Sequence, residues 1–146
     1  MGVENVFFNI SHSGDYVVCA VSDREIGIDI EKRAKARMEV AGRFFHGEEV
    51  AQLKMLEEDK QDQLFFNYWS VKESFLKYIG TGLTRPLNSF IVSFSGGDVS
   101  LFEGENKLPL HVHACPVDDG YACHVCCEYE ELTGIHEIFL EEITGC

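Results

Sequence analysis

The sequence predicts an α+β fold built on an antiparallel sheet. Strand-like runs open and close the chain, helical periodicity is confined to its middle, and the loops between the first strands are too short for parallel crossovers.

Val6 to Ile10 is apolar and rich in β-formers, and reads as a strand. Ser11-His12-Ser13-Gly14-Asp15 reads as a turn, Tyr16 to Val21 as a second strand, and Ser22 to Glu25 as a second turn. Ile26 to Glu31 alternates apolar and polar with period two, a third strand. The first thirty residues therefore read as an antiparallel meander. Helical spacing follows. Met38 to Phe45 forms a first helix and Glu48 to Leu56 a second, with Val50, Leu53 and Leu56 on one stripe. Glu57 to Lys60 reads as a polar break. From Asp62 to Ile79 large apolar residues recur at three and four, and Gly80 supplies the stop. Thr81 to Leu87 reads as a loop. Phe90 to Phe94 and Val99 to Phe102 flank Gly96-Gly97-Asp98 as a hairpin. Leu110 to Cys115 and Tyr121 to Cys127 form another pair, and Ile135 to Leu140 reads as a short final strand.

The length, 146 residues, suits one domain, and 45% hydrophobic residues suffice for a core. No apolar run is long enough to span a membrane, and no leader is visible at the N-terminus, so the expected location is the cytoplasm. A formal net charge of −13 argues against nucleic acid as a partner. Lys32, Arg33, Lys35, Arg37 and Arg43 nevertheless cluster, either as a solvated loop and helix start or as a patch for an anionic ligand or acidic partner. Cys123 and Cys126 form a CxxC with no second ligand pair, which leaves tetrahedral zinc without its four ligands. The cysteines of Tyr121 to Cys127 read instead as small hydrophobes.

Three features carry chemistry. Asp29 and Glu31 lie two apart on a strand and so share a face, with Ile28 and Ile30 on the other. Alone, the pair marks a wet sheet face. Adjacent carboxylates repel unless a cation or proton intervenes, however, and such hard oxygen ligands suit Mg²⁺. Trp69, Glu73 and Lys77 follow at four-residue steps on one helical stripe, where Glu73 and Lys77 are also an ordinary helix ion pair. Ser11-His12-Ser13 is either a plain turn or a phosphate contact made through imidazole, hydroxyls and backbone N–H groups. No P-loop and no serine-hydrolase elbow is present. Together these features are the equipment for a Mg²⁺-assisted attack on a pyrophosphate.

Several spaced motifs resemble the surfactin-synthetase type of 4′-phosphopantetheinyl transferase. They are Phe8-Asn9-Ile10-Ser11-His12-Ser13, Gly27-Ile28-Asp29-Ile30-Glu31, Arg43-Phe44-Phe45 with Glu48-Glu49, Trp69 through Lys77, Gly80-Thr81-Gly82-Leu83 and Pro86 through Phe90. The resemblance implies an antiparallel sheet with helices packed on one face, as in one half of that family's pseudo-dimer. Residues 1–22 would be the remnant of a first half and residues 23–146 the second half, within one transferase domain spanning 1–146. It implies Mg²⁺-dependent transfer of 4′-phosphopantetheine from coenzyme A to a serine of an apo acyl, aryl or peptidyl carrier protein, with release of 3′,5′-ADP. Asp29, Glu31 and Glu73 would hold Mg²⁺. Glu73 would also act as general base, and Lys77 would neutralise the departing phosphate. Ser11, His12 and Lys72 would contact coenzyme A, and Trp69 would serve in packing. Neither nucleic acid nor membrane is an expected partner, and two copies could assemble. The competing expectations are an inactive relative that at most docks carrier proteins, and an unrelated Mg²⁺-dependent phosphohydrolase.

Overall fold

The computed structural model of the chain describes residues 5–80 and 85–138. Strands β1 (Phe7–Ser13) and β2 (Tyr16–Ser22) form an antiparallel hairpin. Strand β3 (Ile26–Lys32) leads to helices α1 (Met38–Phe44), α2 (Gly47–Lys54) and α3 (Glu58–Ile79). A 3₁₀ turn over Leu87–Ser89 precedes strands β4 (Ile91–Ser95), β5 (Asp98–Glu103), β6 (Asn106–Lys107), β7 (His111–Ala114) and β8 (Tyr121–Cys127). The main sheet runs β3-β8-β7-β5-β4, with β6 paired to β5, and every pairing is antiparallel. The α+β reading with helices on one face holds.

Alternation along β3 explains the layering. Gly27, Asp29 and Glu31 share one face, and α3 packs directly against it. Ile26, Ile28 and Ile30 face the other way, into a second core with Cys123, Val125 and Cys127 of β8. The hairpin closes that core with Phe7, Tyr16, Val18 and Ala20. With both faces covered, all seven residues of β8 are buried, and so are the first five of β3. Cys123, Cys126 and Cys127 are free thiols packed as small hydrophobes.

Several expectations are corrected. The chain does not continue as a meander after β2, because β3 pairs with β8 across the sheet and meets β1 only through side chains. Asn9 Oδ1, Ser11 Oγ and Ser13 Oγ accept from the backbone N–H groups of Ile28, Ile30 and Lys32 at 3.0, 3.1 and 2.9 Å. Ser11-His12-Ser13 is therefore strand, and the turn is only Gly14-Asp15. Glu57 to Lys60 is not a break: α3 begins at Glu58, where acidic residues in a first turn favour the helix dipole. Gly80 ends α3 with φ 70°, as its position suggested. Residues 135–138 are not strand, and the rest of that expected strand lies outside the described residues. So does most of the Thr81 to Leu87 loop. No helix among the described residues is long and apolar enough to cross a membrane.

Candidate active site

Asp29 sits where β3 and α3 meet. It is 5% exposed, so the wet-face reading fails for it. Helix α3 lies so close that a Cβ on Gly27 would overlap the backbone carbonyl of Ser74 and crowd the amide of Tyr78. Burial is the main reason the Asp29 carboxyl is pushed far above the ordinary carboxylate range. Glu31, within charge and hydrogen-bonding reach, raises it further, Lys77 opposes the rise, and Glu73 adds to it. Glu73 is also pushed up, first by burial and then by Glu31. The helix thus turns Glu73 toward the β3 carboxylates, of which Glu31 is half-buried.

The cluster has one ammonium. Lys77 Nζ donates to Ile28 O at 3.0 Å and lies 3.6 Å from Asp29 Oδ1 and 3.4 Å from Ile10 O. The backbone carbonyls of two strands therefore hold the lysine head in place. Three carboxylates against one ammonium leave a local excess of negative charge. Asp29 Oδ2 is buried with no hydrogen-bond partner. A buried, unpartnered carboxylate oxygen in such a field suits a hard cation or a proton. The donor set is oxygen only, which suits Mg²⁺ rather than zinc. Among the described residues, no three His, Cys, Asp or Glu side chains are drawn together as a ready-made metal centre. The three carboxylates converge from two elements without closing on one point.

The expected coenzyme A contacts divide. His12 is exposed on the outer face of the hairpin, opposite Val17. Ser11 is buried, and its hydroxyl accepts from Ile30 N and donates to Asp29 Oδ1 at 3.4 Å, so it supports the carboxylate rather than facing a ligand. Lys72 is corrected. Its side chain is fully buried, and its ammonium meets Glu49 Oε1 at 2.9 Å, Leu87 O at 2.7 Å and Phe90 O at 2.8 Å. All three donors are used, so Lys72 ties α3 to α2 and to the approach to β4, and cannot reach an external anion. Trp69 packs against Phe45 and Phe65, as expected. The basic run is partly neutralised: Lys35 pairs with Glu58 and Arg37 with Glu39, while Arg33 donates to Gln63 O and Asn67 Oδ1.

Reading the sequence missed Ser70. Its buried hydroxyl donates to the backbone carbonyl of Asp29 at 3.0 Å. The signal available was its place three residues before Glu73, on the same side of α3. Two clefts, of about 530 and 970 Å³, lie elsewhere, and neither is lined by Asp29, Glu31, Glu73 or Lys77.

The sequence model of the 4′-phosphopantetheinyl transferase superfamily matches residues 25–126, a span that carries all three carboxylates and Lys77. The chain belongs to this superfamily. It is 41% identical over 138 residues to the 4′-phosphopantetheinyl transferase Sfp of Bacillus subtilis, covering 94% of this chain and 58% of that protein. It is 34% identical over 131 residues to the 4′-phosphopantetheinyl transferase gsp of Aneurinibacillus migulanus, covering 90% and 55%. The chain thus spans a little over half the length of these relatives. In fold it is similar to the holo-[acyl-carrier-protein] synthase of Thermotoga maritima, with a TM-score of 0.55 at 18% identity over 70% of this chain and 61% of that one. That likeness concerns the fold alone.

Proposed function

We propose that the chain carries the catalytic carboxylates of a phosphopantetheinyl transferase, and that it moves 4′-phosphopantetheine from coenzyme A to the serine hydroxyl of an apo acyl, aryl or peptidyl carrier protein. The observation that supports this most is the under-neutralised cluster of buried Asp29 and half-buried Glu31 and Glu73 beside Lys77, inside the segment that matches the superfamily. Its reactants are soluble metabolic components, so we place the protein in the cytoplasm.

Asp29, Glu31 and Glu73 would hold a Mg²⁺ ion, which when bound supplies positive charge for the pyrophosphate oxygens of coenzyme A. Glu73 is the proton acceptor: burial and the neighbouring Glu31 charge raise its basicity, which suits it to take the proton from the carrier serine Oγ. That oxygen bonds to the phosphorus bearing the pantetheine arm, and the bond from this phosphorus to the bridging oxygen of 3′,5′-ADP breaks. Lys77, held by Ile28 O, offers a fixed ammonium to the charge developing on the leaving phosphate. His12, exposed on the outer face of the hairpin, would contact an outer phosphate of coenzyme A.

The test follows 3′,5′-ADP by chromatography after the protein is incubated with coenzyme A and Mg²⁺, with and without an apo carrier. Release that requires the carrier is the expected result. Coenzyme A cleavage that ignores the carrier would instead mean a hydrolase, and no release would mean a chain without catalysis.

A further inference from the structure

The peptide group joining Asp29 to Ile30 is gripped at both ends by serines from different elements. On one side its carbonyl accepts from Ser70 Oγ of α3 at 3.0 Å. On the other its N–H, belonging to Ile30, donates to Ser11 Oγ of β1 at 3.1 Å. Both hydroxyls are buried, Ser70 completely. The Ser11 hydroxyl also reaches the Asp29 carboxylate itself, at 3.4 Å from Oδ1. Strand β3 is an edge strand of the main sheet, so on its outer side this peptide has no ladder partner to hold it. Two residues earlier, the bare backbone at Gly27 lets α3 seat against β3.

We infer that Ser70 and Ser11 are a paired positioning device that fixes the Asp29 main chain, and through it the Asp29 carboxylate, relative to Glu73. This inference rests on the cation-binding reading of the cluster given above. The physical reason is that a peptide plane with both polar ends bonded cannot rotate, and the Cα–Cβ direction of Asp29 is set by that plane. Ser70 is three residues before Glu73 on α3, so one rigid helix turn carries both the clamp on Asp29 and the carboxylate that must face it. The effect of the two serines passes through Asp29, in the way outer-shell partners orient the ligands of other metal sites.

The test is a Mn²⁺ titration of the full chain, read by electron paramagnetic resonance of free Mn²⁺, beside thermal unfolding followed by circular dichroism. The parent is compared with Ser70→Ala, Ser11→Ala and Asp29→Asn. The expected result is a Mn²⁺ Kd about tenfold weaker in each serine variant, with Asp29→Asn weaker still. Ser70→Cys keeps a side-chain atom in the hydroxyl's place, slightly larger, while giving up most of the donor strength, and it replaces Ser70→Ala if that variant does not fold. A folded Ser70 variant with a lowered Tm but parental Mn²⁺ affinity makes the serine merely structural and overturns the inference, while the cation site stands. A parent that binds no Mn²⁺ overturns both.

Discussion

Lys72 and Lys77 lie five residues apart on one helix, and the structure gives them opposite work. Lys72 is sealed in an ion pair with Glu49, which also accepts from His46 N and Val92 N. Removing one partner of such a pair strands a buried charge, so Lys72→Met is expected to lose about 3–5 kcal/mol of stability in urea denaturation. Lys77 is half-buried at the carboxylate cluster. Lys77→Ala is expected to stay folded while kcat falls by about 10²-fold or more. A collapse of the fold would make it a structural partner of Asp29 instead. His124, opposite Asp29 on β8, is pushed down to about 4, first by burial and then by the Arg33 charge. The unfolded chain takes up a proton below about pH 6.5 that the folded chain refuses until about pH 4, so His124 costs stability as pH falls through that window, by about 3 kcal/mol in total. Asp29, whose folded form holds its proton more tightly than the unfolded chain does, acts in the opposite sense. The comparison with His124→Gln therefore isolates the histidine: its acid limb of stability against pH is expected to be flatter than the parent's.

At the scale of elements, the helix α3 and strand β3 that build the site were legible for physical reasons. Period-two alternation put Asp29 and Glu31 on one face, and spacing by four put Trp69, Glu73 and Lys77 on one stripe. Burial of that face was not legible, because it depends on α3 closing over Gly27, a contact about fifty residues long in sequence. The role of Lys72 was hidden for the same reason: its partners are Glu49, Leu87 and Phe90, on three other segments. Ser11-His12-Ser13 read as a turn because small polar residues favour turns, whereas here the side chains at 9, 11 and 13 substitute for a missing strand partner along β3. Gly27 gives the element-scale prediction. Gly27→Ala forces backbone against backbone and is expected to lower stability by about 1–3 kcal/mol, seen as a lower denaturant midpoint. An unchanged midpoint would mean that α3 does not seat on β3 as described.

At the scale of the molecule, the outer face of the β1–β2 hairpin is largely apolar and, among the described residues, uncovered. Phe8 is 66% exposed, Val17 74% and Val21 65%, with Ile10 beside them. Contiguous exposed apolar surface on a two-stranded ribbon drives association. The chain is expected to self-associate as its concentration rises in sedimentation velocity, and Phe8→Glu with Val17→Glu is expected to reverse this. A parental chain that stays monomeric at high concentration would contradict it. The larger claim is that the charged cluster between β3 and α3 exists to transfer phosphopantetheine. The most direct measurement is the intact mass of an apo carrier protein after incubation with this chain, coenzyme A and Mg²⁺, beside parallel reactions with Asp29→Ala and Glu73→Gln. The account predicts that the carrier gains one phosphopantetheine with the parent chain and stays largely unmodified with either variant. A carrier left unmodified by the parent, or modified equally by all three, would contradict it.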